Sequence, residues 1–222
     1  ARLRRDWSSD VCSSDLGKET SLRTRFQQII KEVQQTRNDF ESGKKDSIEV
    51  GTLSTAKKTD TVSEKIDDLV AVLKLTADRG KAQLSKNRNE TQQVEQGFRG
   101  IRAELVNNKL FTAKQAKRMD VDIIQKLDII NNDDYPGIDK AIANYRKKMD
   151  NGEGPTDAIQ DCVDRMNLML VHMDEVLDKM EKIQRIGAVI RSLDELIKSQ
   201  KELADKTRKQ QEIGRASCRE RV

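Results

Sequence analysis

Ile159-Gln160-Asp161-Cys162-Val163-Asp164-Arg165-Met166-Asn167-Leu168-Met169-Leu170-Val171-His172-Met173-Asp174-Glu175-Val176-Leu177-Asp178-Lys179-Met180 carries the strongest apolar periodicity of the chain. Within it Ile159, Val163, Met166, Leu170, Met173, Leu177 and Met180 recur at alternating steps of four and three residues. That alternation holds side chains on one face of an α-helix, which turns once in about 3.6 residues. Cys162, Met169, Val176 and Ile183 form a second stripe beside the first. Two adjoining stripes suit a helix that touches more than one neighbour. Fully burying the first stripe contributes roughly 10–20 kcal/mol gross, at about 1.5–3 kcal/mol per side chain. Ordering entropy offsets most of this, yet the stripe cannot stay in water.

Upstream, Thr156 is the expected cap of this helix, and Gly152-Glu153-Gly154-Pro155 ends the one before it. That preceding helix shows Ile138, Ile142, Tyr145 and Met149 on one face. Asn131-Asn132-Asp133-Asp134-Tyr135-Pro136-Gly137 joins Pro-Gly to Asx residues and is expected to be a turn. Thr112 is expected to cap a segment running through Ala116, Met119, Ile123, Leu127 and Ile130, after a helix end at Asn107-Asn108.

The longest seam is Ile66, Val70, Leu73, Ala77, Gly80, Leu84, Asn87, Thr91, Val94, Phe98, Ile101 and Leu105. It predicts one helix over 53–107, roughly 80 Å long at about 1.5 Å per residue, bending or fraying near Gly80. Asn87 and Thr91 weaken the seam but can fix its register. Leu22, Phe26, Ile29, Val33, Thr36 and Phe40 mark a further helix over 19–42. Gly43-Lys44-Lys45-Asp46 is expected to break it, leaving a polar linker to Gly51; Ser47–Leu53, the one strand-like stretch, is read as part of that linker. Downstream, Ile186, Ile190, Leu193, Ile197 and Leu203 mark a last helix over 186–210, with a kink expected at Gly187. The expected fold class is therefore all-α: long antiparallel helices forming a coiled-coil-like helical bundle.

Composition agrees with long helices rather than a thick globular core. Charged residues make up 36% of the 222, against 3% aromatic, and aromatic side chains supply much of the buried area in ordinary cores. No stretch approaches the roughly 20 apolar residues of a membrane span. The net charge of +4 arises from 42 basic and 38 acidic residues. So mixed a balance predicts no strong pull toward nucleic acid or an anionic surface.

No constellation of catalytic or metal-binding residues is legible, and a non-enzymatic protein with no cofactor and no metal is expected. His172 is the single histidine, and His172-Met173-Asp174-Glu175 lacks the second His four residues on that a helical zinc motif needs. Cys162 lies on the second apolar stripe and is expected to be a buried, inert thiol. Read as an EF-hand loop from Asn131, the sixth and twelfth positions hold Pro136 and Ile142 instead of Gly and Glu. Asn89-Glu90-Thr91 fits a glycosylation sequon but falls inside a predicted helix, and Gly17-Lys18 lacks the Ser or Thr that follows in a phosphate loop. Arg79, Lys81, Lys86 and Arg88, and then Lys109, Lys114, Lys117 and Arg118, are locally basic without interleaved aromatics. They are read as solvated helix faces, with weak nucleic-acid binding as an alternative.

Both ends resemble translated sequencing-adapter DNA. Asp6-Trp7-Ser8-Ser9-Asp10-Val11-Cys12-Ser13-Ser14-Asp15-Leu16 and Glu212-Ile213-Gly214-Arg215-Ala216-Ser217-Cys218-Arg219-Glu220-Arg221-Val222 carry the resemblance. DNA able to encode Cys12–Leu16 is the reverse complement of DNA able to encode Glu212–Ala216, as two arms of one adapter would be. Residues 1–16, expected to be disordered, and 212–222 are accordingly read as adapter-like artefacts flanking a piece of a larger protein. Setting aside their six basic and five acidic residues leaves 36 and 33, a net +3, and Cys162 as the one remaining cysteine. The expected organisation is an N-terminal helix and linker over 17–51, a long helix plus two shorter ones over 52–151, and C-terminal helices over 152–211.

Gly97-Phe98-Arg99-Gly100-Ile101-Arg102-Ala103-Glu104-Leu105-Val106-Asn107-Asn108, the stretch Ile124 to Asp139, and Leu193, Ile197, Gln200, Leu203 and Thr207 within 176–207 resemble large coiled-coil proteins of planctomycete-type bacteria. The resemblance spans about residues 60–210. It implies a membrane-anchored parent in which this region is an extended extracytoplasmic or juxtamembrane helical module of the cell envelope, attached through flanking sequence. The expected function is a structural or interaction module that binds partner helices, or a second copy, through its stripes. The expected interaction residues are Ile66, Val70, Leu73, Val94, Phe98, Ile101, Leu105, Ile159, Val163, Met166, Leu170, Met173, Leu177 and Met180. A signal-relay helical region of a membrane-anchored sensor is the other alternative.

Overall fold

The computed structural model describes the backbone of residues 8–55, 60–107 and 112–219, and side chains within 18–55, 60–107, 112–183 and 195–208. The described helices are α1 (Ser8–Thr55), α2 (Asp60–Asn107), α3 (Ala113–Met119), α4 (Gln125–Ile129), α5 (Tyr135–Asp150) and α6 (Thr156–Arg219). Two π-helical turns, Asp120–Ile124 and Ile130–Asp134, join α3, α4 and α5 into one uninterrupted helical path. No strand occurs among the described residues, and the fold is all-α.

The chain forms two compact units. One is Gly17–Glu181; the other consists of 1–16 with 182–222. In the latter, residues 195–208 are helical and exposed. The start of α1 at Ser8 and the end of α6 at Arg219 fall inside the adapter-like stretches, whose side chains lie outside the described residues.

Within Gly17–Glu181 the helical segments pack as an antiparallel bundle in which neighbours in sequence are neighbours in space. Lys18 of α1 pairs with Glu104 of α2 at 3.2 Å, Lys86 with Glu32 at 3.3 Å, and Lys65 with Glu49 at 2.5 Å, so α1 and α2 run in opposite directions. Arg102 with Asp120 at 2.7 Å and Lys74 with Asp150 at 2.6 Å set α2 antiparallel to the α3–α5 path. Arg23 with Glu181 at 3.8 Å and the bond from Arg37 to Asn167 at 2.9 Å close the bundle by setting α6 against α1. Such exposed pairs each contribute only about 0–1 kcal/mol. The enclosed apolar core, including Phe26, Phe40, Phe98, Ile123, Tyr145, Met166 and Met173, carries the fold.

The elements differ from the sequence reading at several points. Gly43–Gly51 is helix rather than linker, because α1 runs unbroken to Thr55. Ser47 and Val50 are buried there, so this part of α1 has a packed face that a linker would lack. α2 starts at Asp60 rather than 53 and passes Gly80 without a break. The Phe40 ring packs where a Gly80 side chain would be, which turns the weak point of the seam into a contact. α6 likewise continues through Gly187.

The expected turn at Asn131–Gly137 is helical too. Met119, Ile123, Leu127, Asn131 and Tyr135 are buried at four successive steps of four residues, where the other seams alternate four and three. The excess is two residues, and a π-turn takes up one extra residue each time it occurs. The second π-turn also explains how Pro136 is tolerated. The Tyr135 N–H bonds the carbonyl of Ile130, five residues back, and widens the helix where a proline ring would otherwise crowd the preceding turn.

Thr112 caps α3 as expected, in a capping box with Gln115. Thr156 does not act as the expected cap: it is the first residue of α6, and its hydroxyl donates to the Ser47 carbonyl of α1 at 3.4 Å. Gly152, at φ 70°, ends α5, with the Glu153 N–H closing on Lys148 O at 2.9 Å.

Candidate interaction surface

Most of the residues expected to meet a partner meet the chain's own core. Leu73, Val94, Phe98, Ile101, Ile159, Val163, Met166, Met173 and Met180 are buried. Ile66, Val70, Leu105, Leu170 and Leu177 are half-buried. The 4-3 alternation reports burial without saying whose helix does the burying, and within Gly17–Glu181 the partners are intramolecular.

Polar side chains meet within this core, among them Ser47 and Tyr145, whose hydroxyls lie 3.4 Å apart. Gln83 Nε2 donates to Glu32 Oε2 at 2.6 Å and to Asn87 Oδ1 at 2.9 Å. The Thr91 hydroxyl donates to the Asn87 carbonyl at 2.8 Å and accepts from the Tyr135 hydroxyl at 3.2 Å. Burial pushes the Tyr135 phenol far above its ordinary value. Nearer the α3 end of the bundle, Asn131 Nδ2 donates to Glu95 Oε2 at 2.8 Å. Asn87 Nδ2 and Asn131 Oδ1 are buried without a hydrogen-bond partner among the described residues. A buried Asn with one unmet group costs stability while disfavouring other registers.

Cys162 is fully buried, and its burial pushes the thiol up to about 12. A thiolate is the reactive form, so burial and the raised value both disfavour reaction at this cysteine. His172 of α6 is partly exposed, and its Nδ1 lies 2.8 Å from Oδ2 of Asp134, the last residue of the second π-turn. Thr91 of the sequon is buried and hydrogen-bonded. Arg79, Lys81, Lys114, Lys117 and Arg118 are exposed, whereas Lys86 pairs with Glu32; Lys109 lies outside the described residues. No cluster of three or more His, Cys, Asp or Glu able to hold a metal occurs among the described residues. No described helix is long and apolar enough to cross a membrane.

What remains on the outside of the bundle is apolar in specific places. On α2, Val72 and Leu75 are about half exposed, at 53% and 49%; on α6, Leu168 and Val171 are each at 55%. Ile129 of α4 is at 44%. Seam counting passes over these five residues because they interrupt polar faces; the signal for them was an apolar side chain at a position the seams assign to solvent. The ion pair Lys126–Glu175 and the His172–Asp134 bond lock the helices carrying Ile129 and Leu168 side by side. The Lys126 ammonium, bonded to Glu175, holds that carboxyl below its ordinary value of 4.5. No family model matches this chain, and no curated protein or solved structure matches it either.

Proposed function

We propose that the chain is a non-enzymatic structural module, a helical scaffold that binds partner helices through apolar side chains on the outside of its bundle. The observation that supports this reading is the division of its apolar residues. The long stripes are consumed inside Gly17–Glu181, while apolar side chains that include Val72, Leu75, Ile129, Leu168 and Val171 remain in water. Exposed apolar side chains grouped on polar helix faces mark binding surfaces more often than isolated ones do. The buried groups that could carry chemistry, Cys162 and the two tyrosines, are held in their protonated forms by the core.

Single Ser substitutions at the five exposed positions test the proposal in the full chain, with helicity by circular dichroism as the fold control. Photo-crosslinking in an extract of the source cells should give a protein adduct that at least one substitution abolishes. The reading fails if no substitution changes the adducts, or if the chain turns over a substrate and loses that activity in His172→Ala.

A further inference from the structure

The two segments that build the α4–α6 face, 120–139 and 157–181, hold thirteen Asp and Glu against three Lys and Arg, in a chain whose net charge is +4. Lys126 pairs with Glu175 and Arg165 with Asp161, while Asp120, Asp134 and Glu181 are engaged by Arg102, His172 and Arg23, so the surplus is carried by the remaining carboxylates. Asp128 and Asp164 accept hydrogen bonds from the neutral side chains of Asn132 and Gln160, which leaves their full charge facing outward. Leu168 and Val171 stand three residues apart on the outer side of α6, two turns and one turn from Glu175 respectively. Ile129 stands one turn from Lys126 on the adjacent helix. The ion pair between Lys126 and Glu175 joins the two helices that carry these three exposed apolar side chains.

We infer that this face docks a basic amphipathic helix of a partner protein, its apolar side seated on Ile129, Leu168 and Val171 and its Lys and Arg side chains set against the surrounding carboxylates. A helix laid across two adjacent helices contributes anchors spaced i, i+3 and i+4, the i, i+3 spacing Leu168 and Val171 themselves present. Charge selects among the occupants. A second copy meeting the same face through a two-fold axis sets carboxylate against carboxylate and is repelled, and so is a nucleic acid. A basic helix is drawn in, and its association weakens as salt screens the exposed charges.

The inference rests on the scaffold reading and narrows it to one surface and one chemistry. The probe is a fluorescent Leu/Lys amphipathic helical peptide titrated into the full chain, beside a Leu/Glu peptide of the same pattern and a scrambled Leu/Lys peptide. The patterned Leu/Lys peptide alone should bind. Leu168→Ser with Val171→Ser should weaken it about tenfold, as should Asp128→Asn with Asp133→Asn, and added salt should weaken it in the parent chain. Because all four side chains are exposed, circular dichroism should report the same helicity in each variant. Equal binding of the three peptides, or affinity indifferent to both variant pairs, overturns the inference. So does light scattering that finds a dimer which Leu168→Ser and Val171→Ser dissolve. If the peptide fails while a crosslinked partner is lost through Val72→Ser or Leu75→Ser, this surface is wrong and the scaffold reading stands.

Discussion

Gly80 and Gly100 occupy the same helix in opposite surroundings. A methyl group at Gly80 would lie 2.4 Å from Cε2 of Phe40, a side chain that is 0% exposed. At Gly100 nothing lies within 4 Å of that position. Ala gains about 0.5–1 kcal/mol over Gly inside a helix, so Gly100→Ala should raise the urea midpoint. Gly80→Ala should lower stability by about 1–2 kcal/mol net, because the Phe40 ring has to move within a packed core. Cys162 offers a second measurement at this scale. Its thiol is raised from 9.0 to about 12, and the Tyr145 phenol from 10.0 to about 12, both by burial. A folded-state value raised this way contributes stability that is complete below the unfolded value and lost as pH rises toward the folded one. The urea midpoint should therefore fall through the alkaline range above about pH 9, less steeply in Cys162→Ala. At neutral pH, alkylation of Cys162 should follow global unfolding; labelling faster than unfolding would show that the thiol is reachable in the folded chain.

The helical path from α3 to α5 makes the sharpest prediction about an element. Its first π-turn, Asp120–Ile124, contains the exposed Val121. Deleting Val121 removes the extra residue and lets Met119, Ile124 and Leu127 follow the ordinary four-three alternation with buried isoleucine still in the seam. Thermal unfolding should move by less than about 5 °C. Deleting the exposed Lys140 in α5 instead swings Ile142, Tyr145 and Met149 by about 100° and should abolish the cooperative transition. Equal damage from the two deletions would mean that the π-turn is not a one-residue insertion. The pairing of α4 with α6 is tested by pH. Glu175 is held below 4.5 by Lys126, so that pair contributes stability above the ordinary carboxylate value and loses it as pH falls through the lowered one. Lys126→Met should be less stable than the parent at neutral pH, and the difference should vanish in acid.

Across the whole molecule, the buried polar layer sets order against stability. Asn87 is fully buried with its Nδ2 unpartnered. Asn87→Leu removes that unmet donor and should stabilise the bundle by about 1 kcal/mol. It should also broaden the amide spectrum, since a smooth apolar seam lets neighbouring helices slide between registers. A sharp single-conformer spectrum in the variant would assign register to the capping box at Thr112 and the positive-φ turn at Gly152 instead.

Much of this architecture was legible residue by residue. The spacing of Ile159 to Met180 gives a helix and its inward face, since only an α-helix brings that alternation to one side. The cap at Thr112 and the stop at Gly152 follow from local chemistry in the same way. Local cues failed where the packed interior outweighed them. Pro136-Gly137 and Gly43-Lys44-Lys45-Asp46 look like breaks because turn preferences concern a few residues of isolated chain. Burial of Tyr135, Ile138, Ser47 and Val50 holds both stretches helical. The candidate surface was less legible than the fold. Ile129, Leu168 and Val171 are apolar letters among others until the bundle shows which side of each helix is left over. That the chain is helical, and which stripes must leave water, follows from residue order alone, because helix period and apolar transfer are properties of residues in order. That those stripes cover one another, leaving exposed apolar side chains among carboxylates, comes from the packed bundle, because burial is a relation between distant segments.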